Sequence, residues 1–259
     1  MAQRFYTMFM LGTAGSGKTV LTRTLYDWFS EKNLDVATLN LDAGVRRLPY
    51  NPDIDVRDMV NIDNLTEKLD LGPNGAMIAS MDLIATKIDE LKAEIDYIQP
   101  EYLLVDTPGQ IELFAYRSSG RLVSSVISDD SQPATVFLID PSLVLRPEGF
   151  SSVLLLSVSV AFQLSLPQIV AISKEDIIEK EQMNNLENWM DSPHSLVTDI
   201  QSGGQISLSQ QLGVSIIEIL EQYKTTGDLI PISANTGYNI DTLIGLMERE
   251  WGERDDFYE

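Results

Sequence analysis

The chain contains no cysteine, which excludes disulfides and thiol chemistry. It carries a single histidine, His194, so a zinc centre is not expected. Positive charge is scarce: 18 Lys and Arg stand against 39 Asp and Glu, for a net charge of −21. A surface of that sign repels phosphate backbones and anionic bilayers and can steer basic partners, so direct nucleic-acid binding is not expected. Any phosphate site must be built locally, from backbone amides, one or two lysines and a metal ion. A secretory signal is missing too, since "RFYTMFMLG" (residues 4–12) has no cleavage site and reads as a strand running into a loop. The one long uncharged stretch, Gly149–Ser173, holds six serines, two glutamines and Pro167. It reads as a buried helix, a break at Pro167 and a buried strand, not as a membrane span.

What is present is a 259-residue chain that is 44% hydrophobic, long enough for a substantial core. Apolar runs at Phe5–Leu11, Val36–Leu41, Tyr102–Asp106, Thr135–Asp140, Gln168–Ser173 and Leu229–Ile232 predict strands. Several are nearly continuous, as parallel strands covered on both faces require. Helices are expected after Gly17, Asn74, Gly109, Pro147, Lys174, Gly213 and Gly237. The alternation predicts an α/β fold: one doubly wound, mostly parallel sheet with helices on both faces, spanning residues 1–259 as a single domain. The polar segment 184–211 reads as a helical insertion, and "ERDDFYE" as a short acidic tail. Apolar residues at Met77, Met81, Ile84, Ile88, Leu91 and Ile95 step by 3 and 4, predicting one continuous helical stripe. Packing against the sheet and a seam for a partner helix are both open uses of it.

Phosphate chemistry is concentrated in "GTAGSGKT", Gly12 to Thr19. The pattern G-x-x-x-x-G-K-[ST] arises by chance in roughly one chain of this length in a hundred, and here it also follows a strand and opens a helix. Gly12, Ala14, Gly15, Ser16 and Gly17 supply a backbone whose N–H groups can converge on phosphate oxygens, aided by the positive end of the following helix. Lys18 can reach the outer phosphates, and Thr19 can ligate Mg²⁺. In "VDTPGQIE", Asp106 ends an apolar strand, where a carboxylate serves the ion directly or through water. Gly109 can offer its N–H to the outermost phosphate. Gln110 can orient an attacking water, with Glu112 to assist.

A base site follows in "AISKED", Ala171 to Asp176, which resembles the guanine-reading element [NT]-K-x-D. Asp176 can accept from guanine N1–H and N2–H₂ together, and adenine lacks both donors. A mismatch of that kind discriminates by about 10⁴. Lys174 can cover the base with its aliphatic stem, while Ser173 stands where Asn or Thr is usual. The later loop Ser233-Ala234-Asn235 resembles one whose backbone N–H meets guanine O6.

Taken in order, these elements are those of P-loop GTPases. The runs "NLDAGVRRLPYNPDIDVRD", "LGPNGAMIASMDLIATKIDEL" and "DTPGQIELF" resemble the GPN-loop GTPases of archaea and eukaryotes over nearly the whole chain. Two departures are Asp42-Ala43-Gly44, where D-P-A is usual and where the loop is expected to be more flexible, and Ser173. The resemblance implies a Mg²⁺-dependent GTP hydrolase yielding GDP, acting as a homodimer. In it Gly72-Pro73-Asn74 reaches the partner subunit's nucleotide site, and Asn74 acts there as an uncharged counterpart of an arginine finger. Lys18, Gln110, Glu112 and Asp42 are then its candidate catalytic groups. Eukaryotic relatives are associated with RNA polymerase II assembly and nuclear import, so a protein client is implied. The lack of a long C-terminal extension points to an archaeal-type, cytoplasmic member. A nucleotide-locked scaffold with incidental turnover, and an ATPase or small-molecule kinase on the same frame, are the alternatives. A kinase needs an acceptor pocket and an arginine-bearing lid, and no clear one is visible.

Asp176 yields a direct test. Asp176→Asn should weaken GTP and favour xanthosine triphosphate, because the amide donates to the xanthine 2-oxo group. Competition binding reads this, and an unchanged GTP affinity removes Asp176 from the base site.

Overall fold

The computed structural model of the chain describes residues 5–202, 211, 214–215 and 229–252. Its strands are β1 (Phe5–Gly12), β2 (Val36–Asn40), β3 (Ile54–Asp55), β4 (Tyr102–Asp106), β5 (Ser131–Ile139), β6 (Gln168–Ile172) and β7 (Leu229–Pro231). Between them run α1 (Lys18–Glu31), α2 (Val56–Met59), α3 (Ile62–Leu69), α4 (Pro73–Thr86), α5 (Ile88–Ile98), a π-helical turn (Glu112–Tyr116), α6 (Ser118–Ser128) and α7 (Pro147–Leu164). Helices α8 (Lys180–Asp191), α9 (Pro193–Ser202) and α10 (Ile240–Gly252) follow, with short 3₁₀ turns at Pro141–Leu143 and Glu175–Ile177. The seven strands form one sheet in the order β3-β2-β4-β1-β5-β6-β7, and every pairing is parallel.

Side chains alternate across each strand and both faces are covered. Phe9, Leu11, Leu39, Leu103, Val105, Phe137 and Ile139 face α4 to α9 in one core. Met8, Met10, Leu104, Val136 and Leu138 face α1 and α10 in the other. The doubly wound parallel sheet is therefore the one expected from the sequence.

Several local expectations are corrected. The Met77–Ile95 stripe is carried by two helices, because the chain breaks at Lys87 (φ −106°, ψ 20°). Asp89 and Glu90 then suit the positive N-terminus of α5. The stripe still packs inward, with Met81, Ile84, Leu91 and Ile95 buried in the first core, which favours the sheet over a partner seam. The helix begins at Pro73 and not after Asn74, with Gly72 as its N-cap and Pro73 in its first position. After Gly109 the chain makes the π-helical turn before α6, and after Lys174 it makes a 3₁₀ turn, Glu175–Ile177, before α8.

Strand β5 starts at Ser131 and includes Pro133, ahead of the expected Thr135. Pairing with β6 begins only at Thr135, so Pro133 has a neighbour on one side alone, where its missing N–H is tolerated. The two-residue β3 and helices α2 and α3 were not expected. Within the segment 184–211 read as a helical insertion, residues 184–202 form the end of α8 and α9, broken at Ser192, while most of the remainder, Gly213 and the acidic tail lie outside the described residues.

One described helix, α7, is long and apolar enough by length and composition to cross a membrane. It buries Phe150, Val153, Leu154 and Val160, ends at Ser165 in a left-handed conformation, and leads through Pro167 into β6. That is the helix, proline and strand arrangement read from the sequence.

Gly120 packs α6 onto the π-helical turn. A Cβ there would lie 2.2 Å from the Phe114 carbonyl oxygen and 2.6 Å from Phe114 Cα. Gly120→Ala should destabilise the fold by about 1–3 kcal/mol, the usual range for forcing one methyl into a packed site. A urea midpoint equal to wild type would show that the turn yields freely.

Candidate nucleotide site

The loops leaving β1, β2, β4, β5, β6 and β7 gather at one edge of the sheet, beyond the carboxyl ends of the strands. Connections run toward β2 on one side of β1 and toward β5 on the other, so the edge beside β1 is the point where winding reverses, the usual ligand crevice of such sheets.

The loop Gly12–Thr19 needs its glycines. Gly12, Gly15 and Gly17 have φ of 138°, 77° and 94°, conformations that L side chains rarely adopt. Gly12 is also pressed against β5, where a Cβ would lie 2.3 Å from the Leu138 carbonyl oxygen. Lys18 opens α1 and turns back over the loop. Its ammonium donates to the carbonyls of Gly12 (3.0 Å), Thr13 (2.9 Å) and Gly109 (3.3 Å). The residue is only 5% exposed, and burial lowers its pKa to about 8 against the opposing pull of Asp106 and Asp42. Ala14 and Gly15 are exposed, while Ser16 is buried with its hydroxyl unpartnered.

Asp106, 1% exposed, is pushed up to about pH 6 by burial, against hydrogen bonds from the Thr19 and Tyr50 hydroxyls and the charge of Lys18. Tyr50 donates to Oδ2 at 3.2 Å, and Oδ1 is buried without a partner. A buried carboxylate with one oxygen unpartnered, on a residue that also meets the Thr19 hydroxyl, is a donor set suited to a hard cation. Among the described residues no group of three or more His, Asp or Glu could hold a metal by itself.

Asp42 joins two loops: Oδ1 accepts the Gly44 N–H at 2.9 Å and Oδ2 the Gly109 N–H at 3.3 Å. The Gly109 amide expected to face phosphate is thus turned to Asp42, while its carbonyl receives Lys18. The turn at Ala43-Gly44, expected to be more flexible, is closed by that Asp42 bond. Behind it, Asn40 holds Asp55 (2.9 Å), which forks onto Arg57, and Arg57 reaches Val45 O (3.2 Å). Asp53 ties the far end of the segment to Thr38 (2.8 and 2.9 Å).

On the base side, Ser233 donates to Asp176 at 2.5 Å, and Ser173 donates to Ile139 O at 3.0 Å. Lys174 bonds Gly15 O (2.7 Å) and Asp140 (2.6 Å). Asp140 is held below the usual carboxylate range, burial being outweighed by its bonds from Lys174 and Ser142. A cleft of about 110 Å³ lies between the phosphate loop and these residues, walled by Val20, Leu138 and Ile232 and edged by Ala234 and Asn235. Asp176 is exposed here, not buried as its discriminating role demands.

Gly72, Pro73 and Asn74 are exposed, and Asn74 Oδ1 lies 3.5 Å from Gln110 Nε2 of the same chain. Glu112 is exposed at the start of the π-helical turn. Arg46 and Arg47 both face solvent. A larger cavity, about 560 Å³, opens between Gly44–Arg46, α3 and the start of α4, and no phosphate-loop residue lines it.

Sequence reasoning missed Tyr50 and Asp140. Nothing in "RRLPYNP" marks Tyr50, whose contact exists only when the loop folds over β4. Asp140 did carry a signal: it ends the apolar run "VFLID" as Asp106 ends "YLLVD".

A glycine loop with a buried lysine, an acidic strand end beside it and a lysine–aspartate base loop, all on the carboxyl edge of a parallel sheet, define a P-loop nucleotide-binding protein. A family model described as "Conserved hypothetical ATP binding protein" matches residues 10–253. The chain is 36% identical over 175 residues to the GPN-loop GTPase PAB0955 of Pyrococcus abyssi, covering 66% of this chain and 68% of that protein. It is 31% identical over 251 residues to GPN-loop GTPase 1 of Dictyostelium discoideum, covering 93% of this chain and 61% of that one. It therefore spans less than two thirds of the length of the Dictyostelium relative. The crystal structure of the apo form of PAB0955 superposes with a TM-score of 0.85 at 27% identity, covering 95% of this chain and 97% of that one. The chain belongs to the GPN-loop GTPase family.

The raised pKa of Asp106 has a measurable consequence. In nucleotide-free protein the folded state takes up this proton near pH 6, the unfolded chain only near about pH 4. The folded state therefore gains stability from this group as pH falls from 7 through 6. Asp106→Asn lacks the step. The difference in unfolding free energy should shift toward wild type between pH 7 and 5, and a constant difference would place Asp106 at ordinary acidity.

Proposed function

We propose that this chain is a Mg²⁺-dependent GTP hydrolase that works as a homodimer and changes conformation with its nucleotide. The observation that carries the reading is the buried Lys18 ammonium beside the partnerless Oδ1 of Asp106, at the mouth of a glycine loop. Guanine is the base because Asp176, oriented by Ser233, presents acceptors only. Those match guanine N1–H and N2–H₂, whereas adenine N1 is itself an acceptor. This bears against the ATP named in the family model's description.

In the reaction, water attacks the γ-phosphorus, the bond to the β–γ bridging oxygen breaks, and GDP and phosphate leave. Little covalent work falls to the protein, and positioning and charge stabilisation dominate. Lys18 exchanges carbonyl partners for phosphate oxygens. Thr19 and Asp106 would hold Mg²⁺, which neutralises charge on the outer phosphates when bound. Gln110, Glu112 and Asp42 are the groups placed to orient the water. Asp42 must release the Gly109 amide for that N–H to meet the γ-phosphate. The segment from Asp42 to Asp55 would move with it, and this motion is the proposed output, by which a client protein is held or released in assembly.

The dimer reading is supported by Gly72. Its φ of −69° is open to any residue, and a Cβ there would meet nothing within 4 Å. Its place as N-cap of α4 suits glycine without requiring it, whereas close approach of a second backbone does require it. Asn74 of one subunit then serves the other's phosphate site. The 3.5 Å approach of Asn74 to its own Gln110 favours a second reading, action within one chain.

Mixing two inactive variants decides between them. Asn74→Ala should lower turnover about 10²-fold, as loss of one stabilising donor does, and Lys18→Ala should abolish tight triphosphate binding. Each mixed dimer has one site with intact Lys18 facing a partner with intact Asn74. Recovered GTP hydrolysis on mixing supports action across the dimer, and none supports action within the chain.

A further inference from the structure

Asp140 has no role in the chemistry above, yet both oxygens of its carboxylate are engaged. It directly follows β5, and Asp106 is the last residue of β4. Oδ1 accepts the Ser142 N–H (2.9 Å) and hydroxyl (2.6 Å), capping the short 3₁₀ turn Pro141–Leu143. Oδ2 takes the Lys174 ammonium at 2.6 Å. The same ammonium donates to Gly15 O at 2.7 Å, across 159 positions of sequence. Lys174 reaches both from a left-handed backbone, φ 55°, which non-glycine residues adopt rarely. Two loops that must grip opposite ends of one nucleotide are therefore joined through a single ammonium, and Asp140 fixes where that ammonium stands.

The residue before it explains the need. Ser173, where a longer Asn or Thr is usual, spends its hydroxyl on Ile139 O at 3.0 Å, within the sheet edge. It makes no bond to the phosphate loop, and the Ser16 hydroxyl on the floor of that loop has no partner. The tie between base loop and phosphate loop falls to Lys174. A lysine stem has four rotatable bonds, and a backbone carbonyl alone does not restrain it as a paired carboxylate does.

We propose that Asp140 is a positioning residue for nucleotide binding: it clamps Lys174 against Gly15, so that the phosphate loop and the base loop stand pre-set and the lysine stem walls the base cleft. This rests on the guanine-site reading of 173–176. Asp140 touches no nucleotide in this scheme and acts through Lys174 alone.

Asp140→Asn separates the clamp from the cap, since the amide oxygen can still accept from Ser142 while the charge facing Lys174 is gone. The partly exposed pair makes the loss moderate: GTP and GDP should bind about tenfold more weakly, through faster dissociation. In a Lys174→Met background the same change should alter affinity less than about twofold, as coupled partners do in a double-mutant cycle. Fluorescent-nucleotide binding reads both, with the nucleotide-free melting temperature as a check on folding. Asp140→Glu, which keeps the charge, should recover part of the loss. If Asp140→Asn does not fold, the Glu variant carries the cycle, and its deficit must vanish without Lys174. An equal loss in both backgrounds, or none in the first, overturns the proposal. Parallel titration of wild type with ATP keeps the two readings apart: equal affinity for ATP and GTP sinks the guanine site, while coupling of 140 to 174 is still read on either triphosphate.

Discussion

Everything at this site depends on a buried positive charge that the chain cannot discharge elsewhere. The Lys18 ammonium sits at the head of α1 with three backbone carbonyls as its hydrogen-bond partners. Carbonyls solvate an ammonium only in part, and its lowered pKa records the desolvation that remains. A polyanion completes the solvation that those carbonyls leave unfinished. The surroundings are arranged to keep that charge in place. Gly12 clears the Leu138 carbonyl only because it has no Cβ, which lets β1 run into the loop without leaving its register with β5.

Acidic residues at or just past strand ends line the same edge of the sheet, two of them acting on that cation. Asp106 and Asp140 end or follow β4 and β5, and Asp42 stands two residues past β2. Parallel strands in register bring these positions to one edge, so residues far apart in sequence share one electrostatic field. The three carboxylates are used differently because their surroundings differ. Asp106 is buried with one oxygen unpartnered, and its proton is held more tightly. Asp42 divides its oxygens between two amides. Asp140 is paired with Lys174, and its proton is held less tightly. A chain of net charge −21 thus builds an anion site from two lysines and oriented backbone, with acid groups kept at its rim.

The segment between β2 and β3 links this field to the rest of the molecule. Its ends are pinned, by Asn40 to Asp55 and by Asp53 to Thr38, while Tyr50 in its middle reaches Asp106. A loop fixed at both ends and bonded to the site in the centre has few ways to move, and any change at Asp106 or Asp42 is felt along it. It also borders the cavity beside α4, whose lining includes Pro73 of the Gly72-Pro73-Asn74 turn.

The sequence by itself determined the parallel sheet, the phosphate loop, the acidic strand end at Asp106 and the base loop. Each rests on short-range pattern: continuous apolar runs, glycines at fixed offsets, an Asp after a buried strand. It also contained the family resemblance, which was most specific from Asn40 to Phe114. Tertiary structure alone decided which of these groups touch. Only folding shows that the stripe from Met77 to Ile95 breaks at Lys87 yet stays in one core. Only folding shows that Pro133 is tolerated in β5, because β6 joins two residues later. The partners of Tyr50, Asp140 and Lys174 lie 56, 34 and 159 positions away. No local pattern encodes such pairs, because they exist only when strand ends in register carry their loops to the same edge of the sheet.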